Sequence, residues 1–157
     1  MQGDKKILYT GFKGNYNSSY QILGKVSGET LALTNSFEGL KRDSMNITDV
    51  YDLVVMFGLD TSLKDMVRVE AVAELDGLKE MTKIDCNAIC RHMEENNIPC
   101  IVSETPTKYL CNAAYYHMLQ KVEEKAVFIH IPSLKNMSGY MMENIVSCIE
   151  GFVYGQA

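Results

Sequence analysis

The chain has 157 residues, 46% hydrophobic and 22% charged, ordinary proportions for a globular protein long enough to bury a real core. Its net charge of −5 is spread along the sequence with no basic patch interleaved with aromatics, which argues against a nucleic-acid partner. No run approaches the ~18 apolar residues that span a bilayer, and the N-terminal MQGDKKILYTGF lacks the apolar region and cleavage site of a signal peptide, so no membrane partner and a cytoplasmic location are expected.

Taken in order, the elements alternate between strand-like and helix-like, as in parallel α/β proteins. Residues Lys6–Thr10 read as a first buried strand ending at Gly11-Phe12, followed by a short helix from Ser18 or Ser19. Thr30–Thr34 reads as a second strand and 37–46 as a helical stretch. Leu53–Phe57, stopped by Gly58, is apolar on both faces, as a sheet covered on both sides requires. Val67–Leu75 is extended with partial alternation.

Thr82–Asn96 reads as a helix capped by Thr82, with Cys86, Ile89, Cys90 and Met93 on one face. A strand over Cys100–Ser103, a helix from about Leu110 to Glu123, a strand over Ala126–Ile131 and a helix from about Ser138 to Tyr154 complete the chain. With three prolines and no repeat or linker, residues 1–157 form one expected domain. The five cysteines (Cys86, Cys90, Cys100, Cys111 and Cys148) are an odd number in a cytosolic-looking chain and are expected as thiols.

Two of these elements carry chemistry. Cys111 falls in the first turn of a helix, where unpaired N–H groups and the macrodipole would lower a thiol pKa and could hold an oxyanion. His130 ends the following strand. A right-handed strand–helix–strand crossover would bring that end and the loop before Cys111 to one sheet edge, where α/β proteins bind ligands. The pair then suits a nucleophile and its base, although packed core roles remain open for both.

An acid should orient the imidazole. Glu70, interrupting an apolar run, is the first candidate, with Glu74 and Asp76 as alternatives. Cys86-x3-Cys90 with His92 lacks the second ligand cluster of a structural zinc site, and Gly11-x-x-Gly14 lacks the rest of a phosphate loop. No metal and no cofactor are expected.

KYLCNAAYY (Lys108–Tyr116) followed by FIHIP (Phe128–Pro132) resembles the nucleophile and histidine motifs of the pyroglutamyl-peptidase I family. Tyr9–Phe12, Leu53–Gly58 and Val69–Ala73 line up with further family segments in the same order. The resemblance implies a three-layer α/β/α fold with a mostly parallel central sheet, and a cysteine peptidase removing N-terminal pyroglutamyl groups. It puts the nucleophile at Cys111, the base at His130 and the orienting acid at Glu70, with Phe12 lining the acyl pocket. Tyr16 and Asn112 are the further substrate-binding candidates.

The chain also departs from the family. Lys13–Asn17 replaces Pro-Phe-Gly-Gly, Ala71 stands where the family has arginine, and a short link replaces a long proline-rich segment between Glu70 and Thr82. A shallower, more exposed site follows as an expectation. The expected partner is a small peptide or amide substrate; a homo-oligomer, common in the family, stays open for a chain this much shorter. A non-catalytic member binding a peptide, a partner or a small ligand is the alternative.

Overall fold

The computed structural model describes residues 5–155. Among these residues eight strands form: β1 (Ile7–Phe12), β2 (Glu29–Leu33), β3 (Leu53–Leu59), β4 (Val67–Glu70), β5 (Val72–Leu75), β6 (Leu78–Met81), β7 (Cys100–Ser103) and β8 (Ala126–Ile131). The helices are α1 (Ser18–Gln21), α2 (Phe37–Met45), α3 (Cys86–Glu95), α4 (Tyr109–Lys121) and α5 (Met141–Gly155). Six strands make one sheet in the order β2-β1-β3-β8-β4-β7. Strands β2, β1, β3 and β8 run parallel, whereas β4 is antiparallel to β8 and parallel to β7.

The central strands β1, β3 and β8 are buried along nearly their whole length, which explains their continuous apolar runs. Alternation divides their side chains between two apolar layers. Ile7, Tyr9, Val55, Phe57, Val127 and Ile129 pack with α3 and α5, while Leu8, Val54, Met56, Ala126 and Phe128 pack with α4. The result is a three-layer α/β/α arrangement around a mostly parallel sheet, as expected.

Several expectations are corrected. Strands β7 and β8 are not parallel neighbours, because β4 lies between them and β7 runs opposite to β8. The extended stretch 67–75 is two strands, not one. After Glu70 the chain leaves the main sheet, and β5 pairs with β6 in a separate hairpin. Asp76 and Gly77, both with positive φ (54° and 80°), form its turn, as a two-residue type I′ connection demands. The short link is therefore a hairpin packed on α4.

Thr82 does not cap α3. Asp85 does, its carboxylate accepting from Ala88 N–H at 3.0 Å. The Thr82 hydroxyl instead accepts from Ile84 N–H and donates to the Ala126 carbonyl, tying the segment to the start of β8. Cys90 on α3 and Cys100 on β7 are joined as a disulfide with Cα atoms 5.3 Å apart, so the expectation of five thiols fails; Cys86, Cys111 and Cys148 stay reduced. Among the described residues no helix is long and apolar enough to cross a membrane.

Candidate active site

The alternation that builds the core also aims the polar residues. Val127, Ile129 and Ile131 face α3 and α5, so His130 points with Phe128 to the α4 side. Val67 and Val69 likewise leave Arg68 and Glu70 on that side. The antiparallel register places Arg68 opposite His130 and Glu70 opposite Phe128. Glu70 Oε2 lies 2.9 Å from His130 Nδ1, with both side chains buried. An ionised carboxylate can only accept, so Nδ1 carries the proton and Nε2 is left as the acceptor.

The same Glu70 oxygen accepts from Arg68 Nε at 2.6 Å, while Oε1 is buried without a partner among the described residues. Arg68 Nη2 donates to Asp60 Oδ2 at 2.7 Å. Burial works against the Asp60 carboxylate, but hydrogen bonds from the Ser62 hydroxyl and N–H and from Arg68 outweigh it, lowering its pKa to about 2. Burial likewise opposes the Arg68 charge, and its bonds to Glu70 and Asp60 prevail and raise its pKa.

Helix α4, not strand adjacency, delivers Cys111. Its 13 residues span ~20 Å, as do the six of β8, and a short turn joins them. The first turn of α4 therefore stands over the carboxyl end of β8. Tyr109 enters the helix at φ 67°, a left-handed conformation that costs on the order of 1–3 kcal/mol in a non-glycine residue. Lys108 offers no side-chain cap, so the first N–H groups of α4 lack a side-chain acceptor there.

Cys111 Sγ rests above Gly58. A Cβ on Gly58 would lie 3.0 Å from Sγ and 2.5 Å from the Phe128 ring. Gly58 is the register partner of His130, about 4.8 Å away across the ladder, and the Phe128 and His130 rings lie 4.8 Å apart. Thiol and imidazole thus share one face and one level of the sheet. Among the described residues no hydrogen bond joins them, and such contacts often tighten only when substrate binds.

The expected lowering of the Cys111 pKa is not found. Burial pushes the thiol up to about 12, the Glu70 and Asp60 charges add to the rise, and Arg68 opposes it. Removal of the thiol from water is the largest cause.

The remaining sequence candidates separate. Phe12 ends β1 buried on the α4 side, its N–H bonded to Ser19 Oγ at 3.0 Å. Tyr16, in the loop after β1, is 90% exposed. The Asn112 amide is occupied by the Glu74 main chain, accepting from its N–H at 2.9 Å and donating to its carbonyl at 2.5 Å. Glu74 and Asp76, the alternative acids, lie in the hairpin and not beside His130. Sequence reasoning missed Arg68 and Asp60. The i, i+2 spacing of Arg68 and Glu70 was the available signal, because it puts both on one strand face.

The family model described as pyroglutamyl peptidase matches residues 64–142, about half of the chain, a span that includes Arg68, Glu70, Cys111 and His130. Among solved structures, pyrrolidone carboxyl peptidase from Thermococcus litoralis superposes with a TM-score of 0.73 at 23% identity, covering 96% of this chain and 93% of that one. The enzyme of the same name from Fervidobacterium islandicum AW-1 gives 0.76 at 20% identity, covering 97% and 98%. Pyroglutamyl peptidase I from Bacillus amyloliquefaciens gives 0.77 at 18% identity, covering 96% and 95%. At these identities the likeness is one of fold. No curated protein matches the chain in sequence.

Proposed function

The chain belongs to the pyroglutamyl peptidase family, a family of cysteine-type peptidases, and from that premise we propose that it cleaves an N-terminal pyroglutamyl or related small acyl amide with Cys111, His130 and Glu70 as its triad. The observation that carries this reading is the buried 2.9 Å contact of Glu70 Oε2 with His130 Nδ1, on the face and at the level where Cys111 Sγ rests above Gly58.

With its pKa raised, the Cys111 thiol is not ionised at rest. Sγ attacks the scissile carbonyl as His130 Nε2 takes the thiol proton, and Glu70 stabilises the imidazolium that forms. The uncapped N–H groups at the start of α4 receive the oxyanion. Collapse breaks the C–N bond, the imidazolium proton passes to the leaving amine, and an acyl thioester stays on Cys111. Water, deprotonated by His130, then releases the acid and restores the thiol.

Phe12 lines the side of the acyl pocket, on the same face two strands from His130. We assign Asn112 to holding β5 against α4, because its amide is already engaged. Release of aminomethylcoumarin from its pyroglutamyl amide, measured for wild type and Cys111→Ser, tests the proposal. Turnover in wild type that disappears in the variant is expected; equal rates would refute it.

A further inference from the structure

Arg68 sits directly across the antiparallel ladder from His130, where paired side chains have Cβ atoms ~4.5–5.5 Å apart. A cation there opposes a base that must take up a proton. It also neutralises Glu70, the acid that should favour the protonated imidazole. Yet the site holds a counterweight. Asp60, the residue after β3, is pinned to the end of β8 by its N–H on the Ile131 carbonyl at 3.0 Å. Its Oδ1 accepts from Ser62 N–H and Oγ at 2.8 and 2.6 Å, which leaves Oδ2 aimed at Arg68 Nη2.

Building on the peptidase reading, we propose that Asp60 and Arg68 are positioning residues of the reaction, Arg68 fixing the Glu70 carboxylate so that Oε2 meets His130, and Asp60 restoring the negative charge that Arg68 cancels. The geometry supports both halves. The planar guanidinium forks between two carboxylates, through Nε to Glu70 and Nη2 to Asp60, and so sets the plane of Glu70. Glu70 needs such a fixture because, among the described residues, its Oε1 has no partner to hold it.

The titratable and charged groups gathered around the imidazole are Glu70 and Arg68 from β4, Asp60 beyond them, and the Cys111 thiol from α4; β3 presents only Gly58. Asp60, Arg68 and Glu70 together carry one negative charge, which a protonated His130 balances. Removing Asp60 alone makes the trio neutral, whereas removing Asp60 and Arg68 together returns it to one negative charge. The device is therefore non-additive by construction.

The test compares wild type, Asp60→Asn, Arg68→Met and the double variant in two assays: turnover of the pyroglutamyl coumarin amide, and the pH profile of Cys111 alkylation by iodoacetamide. Asp60→Asn should lower kcat tenfold or more with little change in KM, and should slow alkylation on the neutral plateau of the profile, where the imidazole must hold the thiol proton, while the acid limb moves to lower pH. The double variant should recover most of the alkylation rate lost in Asp60→Asn. If Arg68→Met does not fold, Arg68→Lys serves, keeping the charge but losing the fork, and should lower kcat while leaving the Asp60 effect intact. An Asp60→Asn variant equal to wild type, or a double variant whose losses multiply, overturns the inference while leaving the peptidase reading in place. Absence of turnover in wild type strikes the peptidase reading instead, and the alkylation profiles still decide the roles of Asp60 and Arg68.

Discussion

Glu70 Oε2 receives the His130 ring at 2.9 Å while the other oxygen of the same carboxylate is buried without a partner among the described residues. One oxygen thus carries the contact that orients the base. Glu70→Gln keeps the shape, but its amide can present an N–H to Nδ1 and turn the ring toward the wrong tautomer. A fall in kcat of about 10²–10⁴-fold with KM little changed is expected. Steady-state kinetics on the pyroglutamyl coumarin amide measures it, and a loss confined to KM would place Glu70 in binding instead.

Gly58 supplies the space that Cys111 and Phe128 share. Gly58→Ala would press a methyl group to 2.5 Å from the Phe128 ring and 3.0 Å from Sγ. Overpacking of this kind costs about 1–3 kcal/mol. Because the displaced groups are the nucleophile and the ring beside the base, activity should fall by more than tenfold even where the urea midpoint shows most molecules folded.

The raised thiol pKa makes His130 responsible for reactivity. In His130→Ala, alkylation of Cys111 at pH 7 should be slower than for an ordinary exposed cysteine and should climb steadily with pH toward about 12. Equal rates in wild type and variant would remove His130 from the role of base.

Asp60 links the site to acid stability. Its native pKa lies near 2, below the ordinary 3.8, so its stabilising contribution is present above pH 4 and is lost as pH falls toward 2. Allowing for its partial exposure, Asp60→Asn should cost on the order of 1–2 kcal/mol at pH 7. Urea unfolding of the two proteins should converge as pH approaches 2; a gap independent of pH would assign the loss to packing.

Asn112→Ala removes both hydrogen bonds to Glu74 and leaves main-chain groups unpaired, at a cost of about 1–3 kcal/mol. Amide exchange should quicken through Val72–Met81 while KM stays near wild type. A large rise in KM with unchanged exchange would return Asn112 to the substrate.

The sequence carried the central strands because burial on both faces leaves no ambiguity in runs such as Leu53–Phe57 and Ala126–Ile131. It carried the Cys111, His130 and Glu70 candidates because chemistry of this kind draws on few residue types. The break after Glu70 was not legible from periodicity, since Val67–Leu75 stays extended on both sides of it. Asp76-Gly77 was the overlooked turn signal. The order of β4, β7 and β8 followed from none of the local patterns, because it depends on where β4 inserts. Thr82 looked like a cap until Asp85 took the role, and the hydroxyl went to the Ala126 carbonyl instead. The pairing of Cys90 with Cys100 was hidden for a similar reason, as it needs the packing of α3 on β7.

The proposed reaction passes through a covalent intermediate on one named sulfur, Cys111 Sγ. Wild-type protein mixed with the pyroglutamyl coumarin amide, quenched in acid within the first turnovers and digested, should show one pyroglutamyl group on the peptide carrying Cys111, and Cys111→Ser should show neither that adduct nor turnover. Turnover without an adduct, or an adduct on Cys86 or Cys148, would contradict the account.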